Sequence, residues 1–199
     1  MSAAPEERSE ASGPAGLARA ALAGRTRRVL QAGSGVHPDV LLVESPAGPV
    51  VVKDFSARTV GVRRLLGPWL LSREERAYRQ LVDVPGVPRL IGRLDAAALV
   101  LEYRPGVLVS RSLRGRLPVV FLAELERSVD EMHQRGVVHL DLRHRSNVLA
   151  GEDGHPVLID FASALRFDPR LRIGRWMLRA LAWIDRRAVE KWRVRLEET

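Results

Sequence analysis

The sequence predicts an α+β chain in two parts, an antiparallel β-sheet with one helix followed by a reduced, mostly helical portion. Three observations carry this. Between residues 26 and 55, three short β-rich runs are separated by Gly- and Pro-containing turns. Two longer stretches, Leu65 to Leu81 and Pro118 to Gln134, repeat apolar residues at helical spacing. Finally, a polar loop carrying Asp141 leads into two apolar runs joined by Glu152-Asp-Gly-His155, the signature of a hairpin.

Bulk properties narrow the function classes. At 199 residues, 46% of them hydrophobic, the chain can bury a sizeable core. It has no cysteine, which excludes disulfides, thiolate metal sites and a cysteine nucleophile. No apolar run approaches the roughly 18 residues of a membrane span. Met1-Ser-Ala-Ala-Pro-Glu-Glu-Arg8 lacks the layout of a signal peptide, so a cytoplasmic protein is expected. The net charge is +8, but the cations are mostly Arg, scattered among acids with no recognition motif. Nucleic acid is therefore not an expected partner. Lysine occurs only at Lys53 and Lys191. Where Arg is the usual cation, a Lys inside a strand indicates a need for a compact ammonium.

Residues 1–24, rich in Ala, Gly, Ser, Pro and Glu, are expected to form a mostly disordered leader, with a turn or two of helix from Leu17. Thr26–Gln31, Asp39–Glu44 and Pro49–Phe55 form a meander. In its first turn Gly33-Ser34-Gly35 would allow backbone N–H groups to approach phosphates, which Lys53 would also reach. The bland alternatives are an ordinary hairpin turn and a solvated lysine. In the helix from Leu65 to Leu81, Glu74 and Glu75 can pair with Lys53, or with Arg73 and Arg76 on the surface. Arg89 to Leu94 and Ala97 to Tyr103 complete a sheet of about five strands, which ends at Arg104-Pro-Gly106.

A basic connector, Val107 to Leu117, leads into the second helix. There Val119, Leu122, Leu125, Val129 and Met132 share one face, and Gly136 stops it. The hairpin places Asn147 beside Asp160, an oxygen-rich pair suited to a hard cation such as Mg2+, with Asp141 facing an acceptor hydroxyl. After Phe167 the chain is expected to be helical. Its apolar stripe includes Ile173, Trp176, Met177, Ala180, Leu181, Ile184, Ala188 and Trp192. The stripe is expected to pack on the second part. The alternative is docking of 172–192 on an anionic membrane, at its inner face, through Trp and Arg.

The order of these motifs resembles the protein-kinase-like superfamily from about residue 28 to residue 163. Gly33-Ser34-Gly35 is similar to the phosphate-covering loop and Val50-Val-Val-Lys53 to the strand-three lysine motif. Glu74-x-x-x-Tyr78-x-x-Leu81 has the spacing of the helix that partners this lysine, with Glu75 as the fallback. Val100-Leu-Glu-Tyr-Arg-Pro-Gly106 resembles the hinge, and Met132-His-Gln-Arg-Gly-Val-Val-His139-x-Asp141-Leu the run into the catalytic loop. The resemblance implies a two-lobed fold, with an N-lobe over 25–106 and a reduced C-lobe over 107–199. It implies ATP and Mg2+ as cofactors. Asp141 would orient and deprotonate the acceptor, and Asn147 and Asp160 would hold the metal. Lys53, fixed by Glu74, would bind phosphates, and backbone groups of Glu102, Tyr103 and Arg104 would hold adenine.

Several departures qualify this match. Asn147 lies six residues after Asp141, one more than usual, so that Ser146 takes the expected place of the metal ligand. Leu140 stands where many regulated kinases carry Arg, Ala162 replaces a glycine, and Pro38 stands at the third glycine of the phosphate loop. Only 37 residues follow Ala162, too few for an ordinary peptide-binding subdomain. The chain thereby resembles RIO-type proteins and the bacterial lipopolysaccharide (Kdo/heptose) kinases. The implied function is transfer of the γ-phosphate of ATP to a hydroxyl by a minimal serine/threonine protein kinase. The alternatives are a lipopolysaccharide-core sugar kinase or a nucleotide-binding pseudokinase. The five histidines form no zinc set; His139 is read as bracing its loop and the others as surface positions.

Overall fold

A computed structural model describes residues 13–197; the first twelve residues of the expected leader lie outside the described residues. The fold is α+β, as expected, and divides into two compact units, Met1–Pro68 with Ile91–Leu101, and Trp69–Leu90 with Glu102–Thr199.

In the first unit, α1 (Leu22–Arg25) runs into β1 (Thr26–Gln31), β2 (Asp39–Ser45) and β3 (Gly48–Asp54). With β4 (Leu90–Asp95) and β5 (Ala98–Glu102), the sheet has the order β1-β2-β3-β5-β4, and the β1/β2 and β2/β3 pairs are antiparallel. Opposing pairs Val50–Val43 and Val52–Leu41 place alternate β3 residues in the core, so Lys53 lies on the other face of its strand.

Residues 13–24 depart from the expected leader. Two short 3-10 turns, Pro14–Gly16 and Arg19–Ala21, precede α1. Leu17 and Leu22 are buried with Val43, Val50, Val52, Ala98 and Val100. The physical reason is the sheet face itself, whose valines need an apolar cover. Burying each leucine there contributes about 1.5–3 kcal/mol. Arg19 fastens the segment, its guanidinium 2.6 Å from Asp54 Oδ2 and 2.5 Å from Asp95 Oδ2.

A π-helical turn, Val62–Leu66, opens into α2 (Gly67–Gln80), one turn earlier than the periodicity predicts. From Trp69 onward this helix groups with the second unit rather than with the expected N-lobe. Its polar side chains explain why. Arg73 donates to the carbonyls of Ser163 and Ala164, and Gln80 bonds Arg135 and Arg166.

The strands β4 (Leu90–Asp95) and β5 (Ala98–Glu102) match expectation. The connector does not, because it contributes β6 (Gly106–Leu108), which pairs with β8 (Val148–Gly151) of the hairpin. A Cβ at Gly106 would lie 2.5 Å from the Ala150 carbonyl, so glycine is what permits this pairing.

Helix α3 (Phe121–Gln134) buries Leu122, Leu125, Val129 and Met132 as expected, but Val119 precedes the helix and is fully exposed, Phe121 taking the core place. Two-residue β7 (Val137–Val138) follows, then the hairpin β8 (Val148–Gly151) and β9 (Pro156–Leu158), then β10 (Leu165–Arg166), which pairs with β7.

The chain continues into α4 (Arg172–Glu197). Its inward face differs from the predicted stripe. Ala182, Asp185, Ala188, Val189, Trp192 and Leu196 are buried, whereas Ile173 and Trp176 are 65% and 63% exposed. The helix packs over its C-terminal half, along α3 and β7.

Candidate active site

The loop between β7 and β8 is built around one buried carboxylate. Asp185, on the inner face of α4, accepts the His139 N–H and the Leu140 N–H at 2.8 Å each, and bonds His133 Nε2 at 3.0 Å. Trp192, two turns further on, donates its indole N–H to the Leu142 carbonyl at 2.9 Å. Helix α4 thus grips the chain on both sides of Asp141. Leu140 is held in the left-handed region at φ 70°, a conformation a branched side chain adopts only when surrounding bonds impose it.

The extra residue of the loop is absorbed in two successive turns. His144 N–H donates to the Asp141 carbonyl and Asn147 N–H to the His144 carbonyl, each at 3.2 Å. The second turn is a 3-10 segment, Arg145–Asn147. Asn147 is buried, and its amide N–H2 donates to the Asp141 carbonyl at 2.8 Å and to Asp141 Oδ2 at 2.9 Å. Ser146 is exposed and donates its hydroxyl to Asn147 Oδ1. Of the two candidates, Asn147 is therefore the one facing Asp141. His144 Nε2 lies 3.5 Å from Asp141 Oδ1. Arg143 and Arg145 are exposed.

Across the hairpin, Ile159 N–H donates to the Asn147 carbonyl at 3.0 Å, which sets Asp160 beside the base of the loop. Asp160 adopts a left-handed conformation (φ 65°, ψ 70°), tolerated by a short polar side chain, and a 3-10 turn Phe161–Ser163 follows. The buried Phe161 ring lies between two others, 5.0 Å from Tyr78 of α2 and 4.7 Å from His139. His139 Nε2–H donates to the Ile159 carbonyl, so His139 braces the loop as expected. Burial drives its pKa below the ordinary value, outweighing the nearby carboxylates of Asp185, Asp160 and Asp141, and keeps the ring neutral. The donors at Asn147 and Asp160 are all oxygen, which fits a hard cation.

The remaining expected residues are distributed over both units. Lys53 is buried on β3 and Glu74 on α2. Glu75 instead forms a surface pair with Arg79 at 2.7 Å, so Glu74 is the inward carboxylate. At the β1–β2 turn Gly33 proves indispensable, since a Cβ there would lie 2.3 Å from the Pro38 carbonyl. Its N–H, however, is not an open phosphate donor as expected. It donates to Asp39 Oδ1 at 2.7 Å, while Arg58 bonds both the Gly33 carbonyl and Asp39 Oδ2. Asp39, the first residue of β2, captures the turn. Ser34 and Gly35 remain exposed, Gly35 at φ +56°. At the expected hinge, the Glu102 N–H is already bonded to the Arg89 carbonyl and its carboxylate holds the Arg89 N–H and Arg104. Tyr103 and Arg104 lie outside the strand.

Asp185 and His133 are the site residues that sequence reasoning missed. One signal was available, because Asp185 is the sole acid between Asp168 and Glu190, on an apolar helix face.

No family model matches the chain. It is 33% identical over 106 residues to Serine/threonine-protein kinase KIPK2 of Arabidopsis thaliana, covering 48% of this chain and 11% of that protein. Over 105 residues it is 33% identical to Serine/threonine-protein kinase WAG1 of the same plant, covering 47% and 22%. The identity to Protein kinase PVPK-1 of Phaseolus vulgaris is also 33%, over 109 residues, covering 49% and 18%. The similarity spans about half of this chain and less than a quarter of each of these relatives.

Proposed function

We propose that this chain is an ATP-dependent phosphotransferase of minimal type that moves the γ-phosphate to a serine or threonine hydroxyl of a protein. One observation carries the reading: the Asn147 amide clasps Asp141 in a loop fastened from behind by Asp185. In this reading the Asp141 carboxylate accepts the hydroxyl proton as the acceptor oxygen bonds the γ-phosphorus, and the bond to the β-phosphate oxygen breaks to release ADP. Lys53 would bind the α- and β-phosphates, the role that its resemblance to the strand-three lysine implies. Asn147 and Asp160 would hold Mg2+, which supplies neutralisation of phosphate charge. Adenine is held by backbone groups at Tyr103 and Arg104 and the carbonyl of Glu102. Two relatives named as serine/threonine-protein kinases support the acceptor class.

A second reading, a phosphate-bearing sugar of the lipopolysaccharide core as acceptor, is favoured by the exposed Arg143 and Arg145 within four residues of Asp141. Incubation with γ-labelled ATP, protein acceptors and lipid-sugar fractions tests both. Label in protein supports the first reading and label in the sugar fraction the second. Asp141→Ala is expected to lower transfer by about 10²–10⁴-fold while nucleotide still raises the melting midpoint. Stabilisation by Mg-ATP with no transfer to any acceptor would overturn the proposal in favour of a pseudokinase.

A further inference from the structure

We propose that the first half of α4 docks the protein on an anionic lipid bilayer. Here the helix turns away from the core. Ile173, Trp176 and Trp183 are 65%, 63% and 51% exposed, and the two tryptophans, seven residues apart, share one face. The same surface carries Arg172, Arg175 and Arg179, all exposed, and Arg187 lies over the Trp183 ring at 5.0 Å. From Pro169 through Ile184 there is no acidic residue. Among the described residues, none of Arg172, Arg175 and Arg179 forms a salt bridge, whereas Arg186 and Arg193 further along pair with Asp130 and Glu126.

Charge selects the occupant. A second copy meeting this face through a two-fold axis would bring its own arginines against these, a repulsive arrangement. A bilayer with acidic headgroups offers both complements: negative charge for the guanidinium groups, and an interfacial zone in which indole rings rest with their apolar bodies inward. The inference stands on this surface alone and holds whether or not the phosphotransfer reading is correct.

The test is co-sedimentation of the full chain with phosphatidylcholine vesicles containing about 30% phosphatidylserine, beside vesicles of phosphatidylcholine alone. Binding is expected to the acidic vesicles only and to fade as salt is raised. The double variant Arg175→Glu with Arg179→Glu should bind at least about tenfold more weakly, as two reversed charges at an anionic surface require. Trp176→Ala with Trp183→Ala should also weaken binding while the salt dependence remains. All four side chains are exposed, so both variants should keep the wild-type melting midpoint. Equal binding to neutral vesicles, or full binding by the charge-reversed variant, would overturn the proposal. So would a lipid-free dimer that is abolished by the tryptophan substitutions, which would assign the face to a second copy.

Discussion

Asp185 receives three hydrogen bonds on a carboxylate with no exposed surface, and two of them come from the backbone of the segment leading to Asp141. Removing it strands buried donors, each costing about 1–3 kcal/mol. Asp185→Ala should therefore lose at least about 3 kcal/mol in all, lowering the melting midpoint by on the order of 10 °C or more in calorimetry. Asp185→Asn keeps an acceptor and should lose less. The two glutamates of α2 separate in the same way. Glu75→Gln weakens the i,i+4 pair with the exposed Arg79, worth about 0.3–0.5 kcal/mol, and should leave phosphate transfer within about twofold. Glu74→Gln alters a buried carboxylate and should reduce transfer at least about tenfold, read in the same labelled-ATP assay. At this scale the sequence was informative where partners are near in the chain. Asp141, Asn147 and Asp160 share one loop and hairpin, so spacing exposed them. Asp185 meets His139 across 46 residues, and no local pattern announces such a bond.

At the level of elements, turn chemistry decides more than strand propensity. The β1–β2 turn exists because Gly33 lets the chain pass against the Pro38 and His37 carbonyls, and the Asp39–Arg58 pair then locks it. Gly33→Ala should cost about 1–3 kcal/mol through forced backbone displacement. Gly35→Ala meets open space and should cost only about 1–2 kcal/mol, for its left-handed φ. Thermal melts of the two variants check the order. The strands and the two amphipathic helices were legible because their periodicity is local. The strand character of Gly106–Leu108 was hidden, since it depends on Ala150 and Gly151 of a hairpin more than forty residues later. The inward face of α4 was misread for a related reason. Both its faces carry tryptophan, and only the position of α3 decides that Trp192 is covered and Trp176 is not.

Over the whole molecule, stability should depend on pH in two steps. His139 has a folded pKa below 6.5, so between that folded value and 6.5 the unfolded chain binds more protons than the native one. Its contribution is complete above 6.5 and is lost as pH falls below it. For Asp95, burial opposes ionisation, but the Arg19 hydrogen bond overcomes this and sets its pKa below 3.8. Its contribution is accordingly lost in a second step, below pH 3.8. His155 runs the other way, raised by its bond to Glu124, and adds stability that is complete below 6.5 and is lost as pH rises above it. Melting midpoints from pH 8 to pH 3 should show both losses, and His139→Leu should flatten the first while lowering the midpoint throughout. The N-terminal segment belongs to the same whole-molecule balance. Leu17→Ala should cost about 2–5 kcal/mol, since it opens a cavity in the core of the first unit. An Ala- and Gly-rich composition concealed this role, because two leucines and one arginine suffice to anchor a segment that otherwise reads as disordered.

The grip of α4 on the loop also bears on how functional maps of this protein should be read. An exhaustive substitution screen scored by phosphate transfer would find deep intolerance at Asp185, Trp192 and His133 as well as at Asp141, although Asp185 and Trp192 bond the loop from the helix side. Scored by abundance in parallel, the sets should separate. Changes at Asp185 and Trp192 would deplete the protein itself, while changes at the half-exposed Asp141 would leave ample folded protein with nothing to show for it.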